Sequence, residues 1–361
     1  MMSHLSNLLV KLKESDAQAI LVTSEVSQQY LTGFDFSDGY VLVTLNKSYL
    51  LTDFRYIEAA RAAVGEEFEV LMPEIGALKK AGELIRENGV KTLLIEEATL
   101  SCLACERIKS IVGEGVAVKN GASALIDTLR LYKDESELAA MQKAQNIADA
   151  AFAHILEWLT PNMTEIDVAL ELEFFMRKNG ARSTSFDTIA VSGSASSLPH
   201  GVPRNVKLEK GFFTMDFGAR VDGYCSDMTR TIVLGKADAE MKKLYNTVLR
   251  AQLAALEAAH EGVGCKALDT IARDIIHGEG YVGCFGHSLG HGVGMYIHEN
   301  PRLSQAAKED SVLKPGHVVT FEPGIYIEGK YGCRIEDMGA IRADGSLLNF
   351  AHSPKEMIEM F

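Results

Sequence analysis

The chain has 361 residues, beyond the roughly 250–300 at which a single hydrophobic core stops growing, so two domains are expected. Its 47% apolar and 24% charged residues are the composition of an ordinary globular protein. A formal charge of −13 with no basic run argues against nucleic acid or an anionic membrane as natural partner.

Residues 1–24 read as an amphipathic helix followed by a strand. They lack the apolar core and small-residue cleavage site of a signal peptide. No apolar stretch approaches the about 18 residues of a membrane span, so cytoplasm is the expected compartment. The six cysteines are too scattered for a disulfide framework. Cys102 and Cys105 have the spacing of half a zinc site but no matching second pair, and read as small thiols on a helix.

Along residues 1–127, short apolar strands (AQAILVTS, YVLVTL, SYLLTD, KTLLIEE) alternate with helical segments such as YIEAARAAV and IGALKKAGELIRENG. That alternation predicts a small α/β domain with a mixed or parallel sheet. Neither GxGxxG nor GxxxxGK[ST] occurs, so phosphate binding finds no support. From residue 128 the character changes, and 128–361 is expected to form the second domain. A long helix is predicted from Asp134 to Trp158, with apolar positions at Leu138, Met141, Ala144, Ile147, Ala148, Ala151, Phe152 and Ile155. Pro161 breaks it. Thr164 is a predicted N-cap for a second helix, with Asp167 completing a near capping box and Asn179-Gly180 as the stop. Another helix pair is predicted at 240–260 and 265–280. Helix, helix, hairpin thus occurs twice, which points to an internal duplication carried by pattern rather than identity.

Each repeat ends in a hairpin bearing two acids. Asp216 and Asp227 flank a turn near Val221-Asp222-Gly223, while Glu322 and Glu336 are equidistant from Gly329. Directly opposed residues on antiparallel strands have Cβ atoms about 4.5–5.5 Å apart and diagonal neighbours about 7–8 Å. Four acids gathered this way repel one another unless a cation sits between them. Aspartates often merely flank turns, but Met215 and Phe217 place Asp216 inside an apolar strand.

His287, His291 and His298 fall within a glycine-rich run whose glycines at 286, 290, 292 and 294 disfavour a helix, so a strand or loop is expected. Carboxylates with one imidazole suit Mn²⁺, Fe²⁺, Co²⁺ or Zn²⁺. Four carboxylates and one histidine suffice for two metals that activate a bridging water and polarise a scissile carbonyl. A histidine outside the ligand set would then stabilise the oxyanion or shuttle a proton. The residues therefore point to a metal-centred hydrolase.

With these stretches in order, the chain resembles the pita-bread metallopeptidases of the prolidase and Xaa-Pro aminopeptidase branch. The matching segments are Leu198-Pro-His-Gly201, Met215-Asp-Phe-Gly218, Gly223 to Thr231, His291 to Pro301, Thr320 to Tyr326 and Arg334-Ile-Glu-Asp337. The first domain resembles the creatinase-type N-terminal domain of that branch. The resemblance implies an α/β fold with an internal pseudo-two-fold repeat and five metal ligands: Asp216, Asp227, His291, Glu322 and Glu336. Asp227 and Glu336 would bridge the metals, and Glu322 would also take the proton from a metal-bridging water. His200 and His298 would hold the substrate carbonyl and stabilise the tetrahedral intermediate. His287, Tyr326 and Arg334 would lie beside the pocket, Arg334 orienting a carboxylate ligand. Two divalent ions, Mn²⁺ first, are implied, with short peptides carrying proline second as substrates and a homodimer expected by base rate. An Xaa-Pro aminopeptidase is the leading expectation and an Xaa-Pro dipeptidase the alternative. The extra first domain disfavours a methionine aminopeptidase. The intact ligand positions disfavour a metal-free creatinase or a non-catalytic module.

Overall fold

Short apolar runs form the strands of the first of two units into which the chain divides, Met1–Arg130 and Leu131–Phe361; the computed structural model describes residues 3–361. The strands of the first unit are β1 (Ala19–Val22), β2 (Gly39–Thr44), β3 (Ser48–Thr52), β4 (Phe68–Leu71), β5 (Thr92–Ile95) and β6 (Ala117–Asn120), in the sheet order β4-β3-β2-β1-β5-β6. β2 runs antiparallel to both neighbours, and β1 with β5, β5 with β6 and β3 with β4 pair in parallel, so the sheet is mixed as expected. All four residues of β1 are buried, which explains its unbroken apolar sequence, since a strand covered on both faces shows no alternation. The helices are α1 (His4–Glu14), α2 (Glu25–Thr32), α3 (Ile57–Ala63), α4 (Ala77–Glu87), α5 (Cys102–Val112) and α6 (Ala122–Arg130). Ala81 and Ile85 of α4, with Ile108 and Val112 of α5, share a core with Leu42, Leu51 and Leu93 of the sheet. The strands β4 and β6, which the sequence pattern does not bring out, are the two edges. β6 reads AVKN with no fully buried residue, because an edge strand needs little apolar surface.

The second unit opens on α7 (Glu135–Trp158), whose start is a capping box between Asp134 and Glu137. The next helix, α8 (Glu165–Lys178), has the expected box: Asp167 N–H donates to Thr164 Oγ1 at 3.1 Å, and Thr164 N–H to Asp167 Oδ2 at 2.8 Å. It stops at Asn179, with Gly180 at φ +108°, a conformation glycine adopts without strain. Strands β7 (Ser183–Thr184), β8 (Ile189–Ser192), β9 (Gly211–Phe217), β10 (Ala219–Val221), β11 (Tyr224–Cys225) and β12 (Met228–Leu234) follow. A second helix pair, α9 (Ala239–Ala258) and α10 (Cys265–Gly278), precedes β13 (Gly290–Gly292), β14 (Glu299–Leu303), β15 (Val318–Phe321), β16 (Gly324–Ile327), β17 (Tyr331–Arg334), β18 (Asp337–Ile341), β19 (Leu347–Asn349) and β20 (Glu359–Met360).

The repeat is plain in the burial. Ala151 and Ala251, Ile155 and Ala255, Val168 and Leu268, Leu172 and Ala272, and Met176 and Ile276 are buried at corresponding positions of the two helix pairs. Burial has kept its period while side-chain identity drifted, so pattern outlasts sequence similarity. α7 and α8 share a core with β9 and β12, and α9 and α10 share one with β15 and β17. The main sheets run β20-β12-β9-β8 and β14-β13-β15-β18-β19. The acidic hairpins belong to the strands nearest these cores. No helix among the described residues is long and apolar enough to cross a membrane.

Candidate metal centre

The two hairpins deliver their acids differently. β9 and β12 pair as Asp216↔Thr229 and Phe217↔Met228, so continuing the register puts Gly218 opposite Asp227. Asp216 and Asp227 are therefore diagonal neighbours. The hairpin ends in β10 and β11, whose turn places Asp222 at φ +51° and Gly223 at φ +89°, the twist that suits a tight two-residue turn. In the second hairpin, β15 pairs with β18 as Phe321↔Asp337, and β16 with β17 as Gly324↔Arg334. Both ladders share one register, so Glu322 directly opposes Glu336 in the break between them.

The histidine run contributes β13, a strand as expected. It lies between β14 and β15, and its glycines make that possible. A Cβ on Gly290 would fall 1.9 Å from Thr320 O, and one on Gly292 2.1 Å from Asn300 O. His291 Nδ1 lies 3.0 Å from Gly292 O, a contact that requires the proton on Nδ1. Its Nε2 is left as a lone-pair donor, 3.5 Å from Asp227 Oδ2 and 3.3 Å from Glu322 Oε1. Ligand atoms of Asp227, His291 and Glu336 all lie within 4.8 Å of one another, close enough for one metal ion.

Arg334 joins the two hairpins. It donates to Asp216 Oδ2 at 2.6 Å, Thr229 Oγ1 at 3.0 Å, Tyr326 Oη at 2.7 Å and Pro199 O at 3.2 Å. Thr229 Oγ1 in turn donates to Glu336 Oε2 at 2.6 Å. His287 Nδ1 lies 2.9 Å from Ser288 O, which leaves Nε2 to accept from the Tyr326 hydroxyl at 3.0 Å. Thr320 makes a similar bridge in the second half, accepting from His291 N–H at 3.0 Å and donating to Glu322 Oε1 at 3.1 Å.

Burial and the mutual repulsion of the acids push the carboxyls of Asp227 and Glu336 well above their usual range. Glu322 moves the same way, chiefly by burial, although Arg334 opposes it. Burial holds the His291 imidazole neutral, with its pKa down to about 3, and that of His287 down to about 4. His298 is lowered by burial and by Arg302. Asp216 Oδ1 is buried with no hydrogen-bond partner. An orphaned carboxylate oxygen, crowded acids and an imidazole presenting its lone pair form a donor set that fits divalent cations, whose charge would reverse the upward shifts.

These groups face one cavity of about 590 Å³. The four acids Asp216, Asp227, Glu322 and Glu336 line it, as do His200, His287, His291, His298 and Arg334. Tyr326 sits behind the wall, bonded to His287 and Arg334. Three further residues were not singled out from sequence. Thr229 and Thr320 donate to Glu336 and Glu322, and although both lie in stretches that carry the resemblance, nothing in those stretches marks a threonine as a partner of an acid. Arg302 lines the cavity opposite His291 across the β13–β14 ladder and makes no side-chain hydrogen bond or ion pair among the described residues. Its proximity to the histidine run was its only signal.

Two family models and several solved structures match the chain. The model of Metallopeptidase family M24 matches residues 139–343, and that of the Creatinase/Prolidase N-terminal domain matches residues 4–132. An uncharacterized peptidase of Bacillus subtilis is 40% identical over 340 residues, covering 94% of this chain and 95% of its own. Among solved structures, an Xaa-Pro dipeptidase from Bacillus anthracis superposes with TM-score 0.93 at 40% identity, over 99% of both chains. An X-Pro aminopeptidase from Thermotoga maritima does so with TM-score 0.90 at 34% identity, over 96% of this chain and 99% of its own.

Proposed function

The chain belongs to metallopeptidase family M24, with the pita-bread fold, and from that premise we propose that it is an exopeptidase that cleaves the N-terminal Xaa–Pro bond of peptides, an Xaa-Pro aminopeptidase. The observation that carries this reading is the convergence of Asp216, Asp227, His291, Glu322 and Glu336 on one cavity whose wall also holds His200 and His298.

The five residues would hold two divalent ions, Mn²⁺ first, with Asp227 and Glu336 contributing carboxylate oxygens beside the His291 imidazole. Bound there, such ions supply Lewis acidity and make water nucleophilic near neutral pH. The chain's own groups do the rest. Thr229 and Arg334 hold Glu336 and Asp216 in place. As water adds to the scissile carbonyl, Glu322 accepts its proton and returns it to the proline nitrogen as the C–N bond breaks. His200 and His298 hold the carbonyl oxygen while it carries negative charge. Tyr326 orients His287 beside the substrate. The X–Pro bond is a tertiary amide with no N–H, so recognition on that side falls to shape. Phe186, Ile189, Val202 and Ile297 supply apolar lining for the ring.

Arg302 favours a second reading. An uncommitted guanidinium lining a cavity of this size suits the free carboxylate of a dipeptide. The dipeptidase reading is also consistent with the Bacillus anthracis relative. Purified protein with Mn²⁺, assayed on Ala-Pro, Ala-Pro-Ala and Met-Ala-Ser, separates the readings. Cleavage of Ala-Pro-Ala supports the aminopeptidase, and cleavage of Ala-Pro alone supports the dipeptidase. Turnover of Met-Ala-Ser alone overturns both. A cytoplasmic, homodimeric enzyme completes the proposal; the six free thiols accord with a reducing compartment.

A further inference from the structure

Of the buried carboxylate–arginine clusters in the second unit that lie outside the cavity, two sit on corresponding helices, at Glu165 of α8 and Asp269 of α10. The side chains of Glu165 and Asp269 are 0% exposed. Burying an ion pair is seldom more stable than packing apolar groups of similar volume, so what such a pair specifies geometrically matters more than its stability.

Glu165, the first residue of α8, accepts five hydrogen bonds. Ser192 gives its N–H at 2.7 Å and its hydroxyl at 2.8 Å. Arg204 gives its N–H at 2.9 Å, Nε at 2.8 Å and Nη2 at 2.6 Å. Ser192 ends β8, and Arg204 follows the stretch that carries His200. One carboxylate therefore ties together both ends of segment 193–203. Ala195, Ser196 and Ser197 of the segment are buried, whereas Leu198 and Val202 on either side of the histidine are 57% and 77% exposed.

Asp269, on the corresponding helix α10, accepts Leu289 N–H at 2.9 Å and is forked by Arg273 at 2.8 and 3.1 Å. Arg273 donates onward to Phe285 O at 2.7 Å and His287 O at 2.8 Å, with its guanidinium 4.3 Å from the Phe285 ring centroid. Leu289 O accepts Glu322 N–H at 2.8 Å. The cluster thus fixes residues 285–289 against the helix.

We propose that Glu165–Arg204 and Asp269–Arg273 are paired positioning clamps, one in each half, which hold His200 and His287 at their places on the cavity wall. The inference rests on the peptidase reading of the cavity. Neither cluster lines the cavity with its own side chains; each acts through backbone it pins, Arg273 by bonding the carbonyl of His287. A displacement of about 1 Å in a group that meets the reacting carbonyl costs on the order of 100-fold in rate.

The test compares wild type with E165Q, D269N and R204K. The amides keep side-chain shape, and lysine keeps the charge while losing the planar fork. E165Q is expected to lower kcat on the cleaved Xaa-Pro substrate about 10–100-fold, with KM within about threefold and bound metal unchanged. R204K should fall between E165Q and wild type, and it decides the matter if E165Q does not fold. Hydrogen exchange supplies a readout without substrate. Amides of 193–203 should exchange at least about tenfold faster in E165Q, and those of 285–289 in D269N, each leaving the other segment protected. Wild-type kcat in the variants, or faster exchange across both segments alike, overturns the proposal. Because exchange needs no turnover, a wild type inactive on Xaa-Pro would sink the peptidase reading while the clamps are still decided.

Discussion

The two halves of the second unit share a frame and differ in how they use it. In the first, Asp216 and Asp227 are diagonal neighbours, Asp216 on β9 and Asp227 just before β12, in one continuing register. In the second, Glu322 and Glu336 oppose each other in a gap between two ladders, and β13 adds His291. The short acids stand where the backbone itself comes close. The longer ones stand where the ladder opens at Pro323, a residue without an N–H to continue it. Duplicated backbone therefore does not imply duplicated chemistry, because side-chain length and register set where each oxygen arrives. The halves are then cross-linked, Arg334 of the second bonding Asp216 of the first, and Thr229 of the first bonding Glu336 of the second.

The largest effect should come from removing a donor that both halves depend on. Glu336→Gln keeps shape but loses the charge, and kcat is expected to fall at least about 1,000-fold with bound metal reduced, measured by steady-state kinetics and metal analysis. A variant with full metal content and near wild-type turnover would break the picture of one shared centre. Next is the cross-link. Arg334→Lys removes the planar fork that reaches Asp216, Thr229 and Tyr326 together, and kcat/KM should drop about 10–100-fold while the fold persists by circular dichroism. An unchanged kcat/KM would mean that the halves hold their ligands independently.

The smallest effect is on stability and sharpens the difference between the frames. Burial raises the Glu165 carboxyl, but hydrogen bonds from Arg204 and Ser192 more than offset it, so its folded pKa lies below the ordinary range. A depressed folded value contributes stability above the unfolded pKa of about 4.3, and that contribution is lost as pH falls through the lower folded value. The Tm advantage of wild type over E165Q should therefore be full at neutral pH and shrink below about pH 4. A gap that stays constant down to pH 3 would remove the ionised carboxylate from the account.

Much of the frame was legible because it depends on local rules. The Thr164–Asp167 box, the stop at Asn179-Gly180 and both helix pairs follow from capping chemistry and apolar period. The four central strands of the first unit read clearly, whereas β4 and β6 did not, since edge strands carry little apolar signal. The four acids were legible as charges in apolar strands, the choice of His291 within the histidine run came from the resemblance, and the glycines at 290 and 292 argued against a helix. Thr229, Thr320 and Arg302 were missed. A hydroxyl or guanidinium becomes significant only through the group it meets, and for Thr229 that is Glu336, 107 residues away in sequence.

The amino-acid order by itself determined the two-domain plan, the repeated helix–helix–hairpin pattern and the identity of the acids, because these rest on periodicity, turn residues and charge within one segment. Tertiary structure alone decided that the acids of the two hairpins face one cavity, that Glu322 opposes Glu336 while Asp216 lies diagonal to Asp227, and that Arg334 joins the halves. Those outcomes depend on the register and approach of strands from distant parts of the chain. Register is set by packing over a whole face, which no single segment encodes.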